Sequence, residues 1–204
     1  MGNRNQRDQR PLTVALLGGS FNPPHICHLM AALYALECRD CDEAWLVPVK
    51  DHVLGKDLPP FADRAALAAA MTRDYRPRLS LCDIENSPEA TGYTVDTLEL
   101  LMQRYPQHTF KLVLGADIRA EQDRWKDFTR IQDMVEIIWV GRAGHDNQDA
   151  ALVLPDISST QVRDLLARGA DVTALVPAVV REEMAVRGLY GCGKPDPAPG
   201  GQEV

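Results

Sequence analysis

Two short stretches, far apart in the chain, carry the residue types that could do chemistry. The first is Gly18-Gly19-Ser20-Phe21-Asn22-Pro23-Pro24-His25-Ile26-Cys27-His28. Paired glycines let a backbone turn sharply and approach a ligand closely. Two prolines then stiffen the approach to a helix expected to start near His28. The N-terminus of such a helix offers unpaired N–H groups and a positive dipole end, a natural seat for phosphate. His25 and His28, three residues apart, can both face that seat. Either histidine alone is more simply a capped or surface residue. The glycine pair is weak by itself, being neither the three-glycine dinucleotide fingerprint nor a P-loop. Gly191-Cys192-Gly193-Lys194 is no P-loop either, since it lacks the glycine spacing, the Ser/Thr and a following helix. The second stretch is Ile157-Ser158-Ser159-Thr160-Gln161-Val162-Arg163. Ser158 or Ser159 can cap a helix, and Arg163 then falls about one turn inside it. Hydroxyls, free N–H groups and a guanidinium at one helix start form a polyphosphate clamp. Alone this is an ordinary N-cap with an exposed arginine; with the first stretch, polyphosphate chemistry becomes the better reading.

Short β-rich runs alternate with helical patterns around these stretches. Strands are expected at 12–17, 44–49, 79–82, 109–114, 136–140 and 152–154. Helices are expected at 29–36, 64–72, 95–105, 161–166 and 179–186, with Pro177 suited to the first turn of the last. Strands that are apolar throughout and separated by helices imply a parallel sheet covered on both faces. The fold class is therefore α/β, a Rossmann-like doubly wound parallel sheet in a single domain over residues 11–190. Residues 1–10 and 191–204 are polar or Gly/Pro-rich and are expected to be flexible tails. In such sheets ligands bind beyond the carboxyl ends of the strands, and both stretches follow strands.

Composition limits the function classes. Of 204 residues, 22 are Lys or Arg and 29 Asp or Glu, a net charge of -7. An acidic chain is a poor nonspecific ligand for nucleic acid, because phosphate neutralisation supplies most of that affinity. No apolar run approaches the ~20 residues of a membrane span, and no signal-peptide pattern follows the charged start. The expected location is the cytoplasm, with no nucleic-acid or membrane partner. Five cysteines, an odd number, do not form a disulfide framework. Cys38 and Cys41 make an unpartnered C-x-x-C, most simply free thiols. A homo-oligomer is left open.

GGSFNPPHICH resembles the first signature of the nucleotidyltransferase superfamily with an HxGH-type motif, and ISSTQVR is similar to its second, ISSTxxR. The wording GSFNPPH resembles the nicotinate/nicotinamide mononucleotide adenylyltransferases in particular. One residue departs: the family glycine between the histidines is Cys27 here, which puts a side chain beside the phosphate-facing turn. The resemblance implies adenylyl transfer from ATP to nicotinate mononucleotide, giving deamido-NAD and pyrophosphate. Nicotinamide mononucleotide, another acceptor of the superfamily and a non-catalytic nucleotide sensor are the alternatives. Mg²⁺ is expected to accompany ATP, held mostly by its oxygens and water, so no protein metal cluster is needed.

Site residues follow from the same resemblance. His28, His25 and Arg163 are the expected catalytic residues. Gly18, Gly19, Ser20, Phe21, His25, His28, Arg142, Ser159, Thr160 and Arg163 are expected around ATP. Arg142, in the V-x-R-x-G-like segment 140–144, would lie beside the adenine. Asp117, in Gly115-Ala116-Asp117, would contact a ribose. Trp125 would stack on the pyridine ring, and the TGYTVDTL segment would bring Tyr93 and Thr94 beside the pyridine carboxylate. Lys50, His52 and Lys56 match the family's basic P-x-x-x-P-H-K stretch incompletely, with a spacing nearer that of nicotinamide-preferring members; Lys56 is the expected phosphate contact of the mononucleotide. The Tyr93-Thr94 segment leans to nicotinate, and nicotinate is the favoured acceptor.

Overall fold

Strand β1 (Thr13–Gly19) shows why the sheet lies between two layers. Val14, Ala15, Leu16 and Leu17 are all buried, and successive side chains of a strand leave by opposite faces. Ala15 and Leu17 pack into one apolar cluster; Val14 and Leu16 pack into another. The computed structural model describes residues 10–50, 58–148 and 150–193. Among these, six strands form one sheet in the order β3-β2-β1-β4-β5-β6. They are β1, β2 (Glu43–Pro48), β3 (Leu79–Leu81), β4 (Thr109–Gly115), β5 (Glu136–Arg142) and β6 (Val153–Leu154), and every pairing is parallel.

The helices divide between the faces. Helices α1 (Ile26–Cys38), α2 (Phe61–Thr72), α5 (Ser159–Ala167) and α6 (Ala178–Val186) cover the Ala15 face. Helices α3 (Thr94–Arg104) and α4 (Phe128–Met134) cover the Val14 face. Strand order reverses between the neighbours β1 and β4. The carboxyl end of that pair is where an open α/β sheet leaves a crevice for ligands.

The fold class is the expected one, with local differences. Gly18 and Gly19 do not form a turn: they are the last two residues of β1, in register with Val47 and Pro48. The left-handed residue is Phe21, at φ 48. Helix α1 begins at Ile26, with His25 as its N-cap, earlier than expected. Pro177 is the N-cap of α6 and not its first helical residue. Helix α4 was not anticipated; Asp127 caps it by accepting from the Arg130 N–H at 3.2 Å. Of the expected tails, Arg10 and residues 191–193 are described, and Arg10 pairs with Asp42 at 2.8 Å. Among the described residues no helix is long and apolar enough to cross a membrane.

Candidate active site

The loop after β1 is fixed by its own residues first. Phe21 takes a conformation that non-glycine residues rarely adopt, but its ring is fully buried and packs on the His28 ring, centroids 5.0 Å apart. The N–H of His25 donates to Nδ1 of His28 at 3.1 Å, and the N–H of His28 donates to the His25 carbonyl at 3.0 Å. The two imidazoles lie 3.9 Å apart, centroid to centroid. An Nδ1 that accepts a hydrogen bond leaves the proton on Nε2. His28 is therefore a neutral N–H donor at the start of α1. Burial lowers the pKa of His25 to about 4, with the nearby Arg142 guanidinium adding to the effect. Burial, His25 and Arg142 hold His28 well below the ordinary histidine value.

The two motifs meet. Ser158 caps α5 by accepting from the Gln161 N–H at 3.1 Å. The Ser159 hydroxyl donates to the Pro23 carbonyl at 2.8 Å. Arg163 donates from Nη1 to the Asn22 carbonyl at 2.7 Å and from Nη2 to the Thr160 hydroxyl at 3.2 Å. The late motif thus grips the early loop and brings the N-terminus of α5 beside that of α1. The Cys27 thiol is buried and lies 3.5 Å from the Pro155 carbonyl, against the segment that leads into the second motif.

Two residues that the sequence did not mark complete the support. Arg64, on α2, has no exposed surface. It donates to the carbonyls of Pro59 at 2.9 Å, Ser20 at 3.0 Å and Lys50 at 2.7 Å. The loops after β1 and β2 are therefore joined through one guanidinium. Tyr190, beyond α6, donates its hydroxyl to Oδ1 of Asn22 at 2.7 Å, and burial pushes its pKa up to about 12. An aromatic residue just before the Gly-rich end was the one available hint.

The remaining candidates line the same end of the sheet. A Cβ at Gly18 would meet nothing within 4 Å, whereas one at Gly115 would run into the Asp117 carboxylate. Arg142 lies 3.9 Å from Asp117 and 3.7 Å from Asp156. Trp125 is half-buried, edge-on to Phe128 at 5.9 Å. Thr94 is the first residue of α3, and Tyr93 before it is 40% exposed. Trp125, Tyr93 and Thr94 stand apart from the histidine loop, on elements of the opposite layer. Lys56 and His52 lie outside the described residues. The five cysteines, Cys38 and Cys41 among them, are free thiols.

Known proteins resemble this chain in sequence and in fold. A sequence model of the cytidylyltransferase-like family matches residues 16–165. The probable nicotinate-nucleotide adenylyltransferase of Anaeromyxobacter sp. (strain K) is 46% identical over 180 residues, covering 87% of this chain and 96% of its own. That of Myxococcus xanthus (strain DK1622) is 43% identical over 179 residues, covering 87% and 94%. The Plasmodium falciparum nicotinic acid mononucleotide adenylyltransferase, solved in complex with NaAD, superposes with a TM-score of 0.74 at 19% identity. That superposition covers 88% of this chain and 98% of the other, and it supports the fold.

Proposed function

The chain belongs to the cytidylyltransferase-like family, among the nicotinate-nucleotide adenylyltransferases, and from that premise we propose how its two joined loops transfer the adenylyl group of ATP to nicotinate mononucleotide. The products are deamido-NAD and pyrophosphate, a step of NAD biosynthesis. The observation that carries the site is the direct contact of the motifs, Ser159 on Pro23 and Arg163 on Asn22.

A phosphate oxygen of the mononucleotide attacks the α-phosphorus of ATP in line, the bond to the bridging oxygen breaks, and pyrophosphate leaves. The attacking phosphate is already deprotonated near neutral pH, so no general base is needed. What remains is positioning and stabilisation of the charge that grows on the reacting phosphorus and the leaving group. The triphosphate lies across the N-termini of α1 and α5. His28 donates Nε2–H to the oxygens at the reacting phosphorus, with His25 beside it. The N–H groups of Ser159 and Thr160 and the free face of Arg163 hold the β- and γ-phosphates. Gly18 and Gly19 leave room for the nucleoside, with the Ser20-Phe21 backbone beside it and Arg142 toward the adenine. Asp117 binds a ribose, Lys56 the acceptor phosphate, and Trp125 with Tyr93 and Thr94 the pyridine ring. A magnesium ion carried by ATP would supply charge neutralisation at its phosphates and would be held mostly by ATP oxygens and water. The donor set suits that arrangement, because Asp117 and Asp156 are both turned to Arg142. Unpaired thiols fit a cytoplasmic setting.

Pyrophosphate release measured with ATP and each pyridine mononucleotide tests this reading. Nicotinate mononucleotide is expected to exceed nicotinamide mononucleotide in kcat/KM by about tenfold or more, as recognition of one polar substituent allows. Turnover on the amide alone would reverse the acceptor, and nucleotide binding without release would make the protein a sensor. A second expectation concerns the end of the chain. Tyr190→Phe leaves the buried Asn22 oxygen without its donor, a loss of about 1 kcal/mol or more. The KM for ATP should rise roughly fivefold while the KM for the mononucleotide stays near wild type. Equal KM values for ATP in variant and wild type would show that this contact does not bear on the loop.

A further inference from the structure

The residues proposed above to hold the pyridine ring come from two different elements, and one lysine bridges them. Trp125 ends a 3-10 segment, Ala116–Arg124, that follows β4. Tyr93 and Thr94 open α3. Lys126, next to Trp125, crosses between them. Its ammonium lies 2.8 Å from both carboxylate oxygens of Asp96 and 4.9 Å from the centre of the Tyr93 ring. The Thr91 hydroxyl donates to the same carboxylate at 2.5 Å. Asp96 sits in the first turn of α3, where the helix dipole favours an anion, and its side chain is only 22% exposed. Lys126 first and Thr91 second hold this carboxyl below its ordinary range.

We propose that Lys126 is a positioning residue of the acceptor pocket: its ammonium, shared between Asp96 and the face of Tyr93, fixes the distance from Trp125 to the start of α3 and so sets affinity for the pyridine mononucleotide. The proposal rests on the reading that Trp125 and the Tyr93-Thr94 segment bind the acceptor. An isolated exposed ion pair contributes little. This one is two-pronged, backed by a hydroxyl, and combined with a cation–π contact. The helices themselves do not depend on it. One turn further along, Arg130 pairs with Glu99 at 2.5 Å, and Leu98, Leu101, Phe128 and Ile131 are buried together beneath. That second pair is an internal control, since it joins α3 to α4, whereas Lys126 reaches α3 from the turn before α4.

Steady-state kinetics with nicotinate mononucleotide and ATP test the assignment on Lys126→Met, Asp96→Asn, their double variant, Lys126→Arg and Arg130→Met. Each of the first two should raise the KM for the mononucleotide about fivefold, leaving the KM for ATP and the saturated kcat unchanged. The double variant should be no worse than either single one, as expected for partners in one contact. Lys126→Arg should recover most of the affinity, and Arg130→Met should match wild type. A mononucleotide KM within twofold of wild type for Lys126→Met, or an equal rise for Arg130→Met, overturns the proposal. A wild-type protein that turns over no pyridine mononucleotide overturns the acceptor reading and this proposal with it; one that does, with Lys126→Met unaffected, overturns the proposal alone.

Discussion

His28→Ala is expected to lower kcat by roughly 10²–10³ with little change in the KM for either substrate. The size follows from the kind of contact that is lost. His28 is neutral, its Nδ1 is occupied by the His25 N–H, and Nε2–H is therefore a fixed donor in a largely desolvated corner. A donor aimed where charge grows strengthens in the transition state more than in the ground state, so its loss appears in kcat. The packing effect of the substitution is small by comparison, because the Phe21 ring remains buried on the surrounding core. Pyrophosphate release at saturating ATP and mononucleotide gives the number, and an unchanged thermal midpoint separates it from unfolding. The pH profile carries the sign. Both imidazoles have pKa values lowered from 6.5, His25 to about 4, so the neutral forms are present in the free enzyme near neutrality. kcat/KM should then be level between about pH 7 and pH 8, above the second phosphate pKa of the mononucleotide near 6. A mechanism that needed imidazolium would instead show activity climbing steadily across that whole range as pH falls toward the lowered imidazole pKa values. A kcat for His28→Ala within threefold of wild type would remove this side chain from the chemistry.

The motifs were legible because their residue types are the chemistry: imidazoles, hydroxyls and a guanidinium, each after an apolar run that could be a buried strand. The sheet was legible for a related reason. Strands covered on both faces, such as 14–17 in β1, have no polar alternation to hide them. The elements that were missed lack such marks. Helix α4 has seven residues, too few turns for a helical period to stand out. Gly18-Gly19 suggested a turn by composition, yet pairing with Val47 and Pro48 keeps both glycines in the sheet. The turn was placed instead at Phe21, where burial of a large ring outweighs an unfavourable φ. Cys27 is the second residue of α1, and the direction of its side chain depends on where that helix starts, which the sequence alone does not mark. Contacts to backbone carbonyls were the least visible of all. Asn22, Pro23, Ser20 and Lys50 each receive a donor through their main chain, and a carbonyl carries no residue identity.

Arg64 is the extreme case, and its replacement should have the largest effect on stability. It opens the alanine-rich stretch expected to be helical at 64–72, and nothing in FADRAALAAA marks it for burial. The structure instead buries it completely, with three carbonyls around the guanidinium fork and the Phe61 ring 5.7 Å away. Arg64→Met keeps the apolar stem and removes the fork. Three partly buried carbonyls then lose a charged donor at once, and each would cost about 1–3 kcal/mol if it stayed dry. Relief comes from the desolvation of the guanidinium, which is no longer required, and from water entering the gap. We expect a net loss of about 2–4 kcal/mol, from hydrogen bonds to a charged donor at about 1.5–3 kcal/mol each, offset by the guanidinium desolvation that is no longer required. Against a typical total of about 5–15 kcal/mol, that is enough to move a denaturant midpoint far from wild type. Arg64→Lys keeps the charge but reaches fewer of the three carbonyls, and it should fall between the two. Activity should decline with stability in a particular way. The loop carrying Ser20 through His28 loses its tie to the loop after β2, so kcat should fall in the surviving folded fraction even where Lys126 and the acceptor wall are untouched. Urea unfolding curves for the three proteins, read beside kcat well below the transition, give both quantities. If Arg64→Met unfolds within 1 kcal/mol of wild type and turns over normally, the guanidinium is not what joins the two loops.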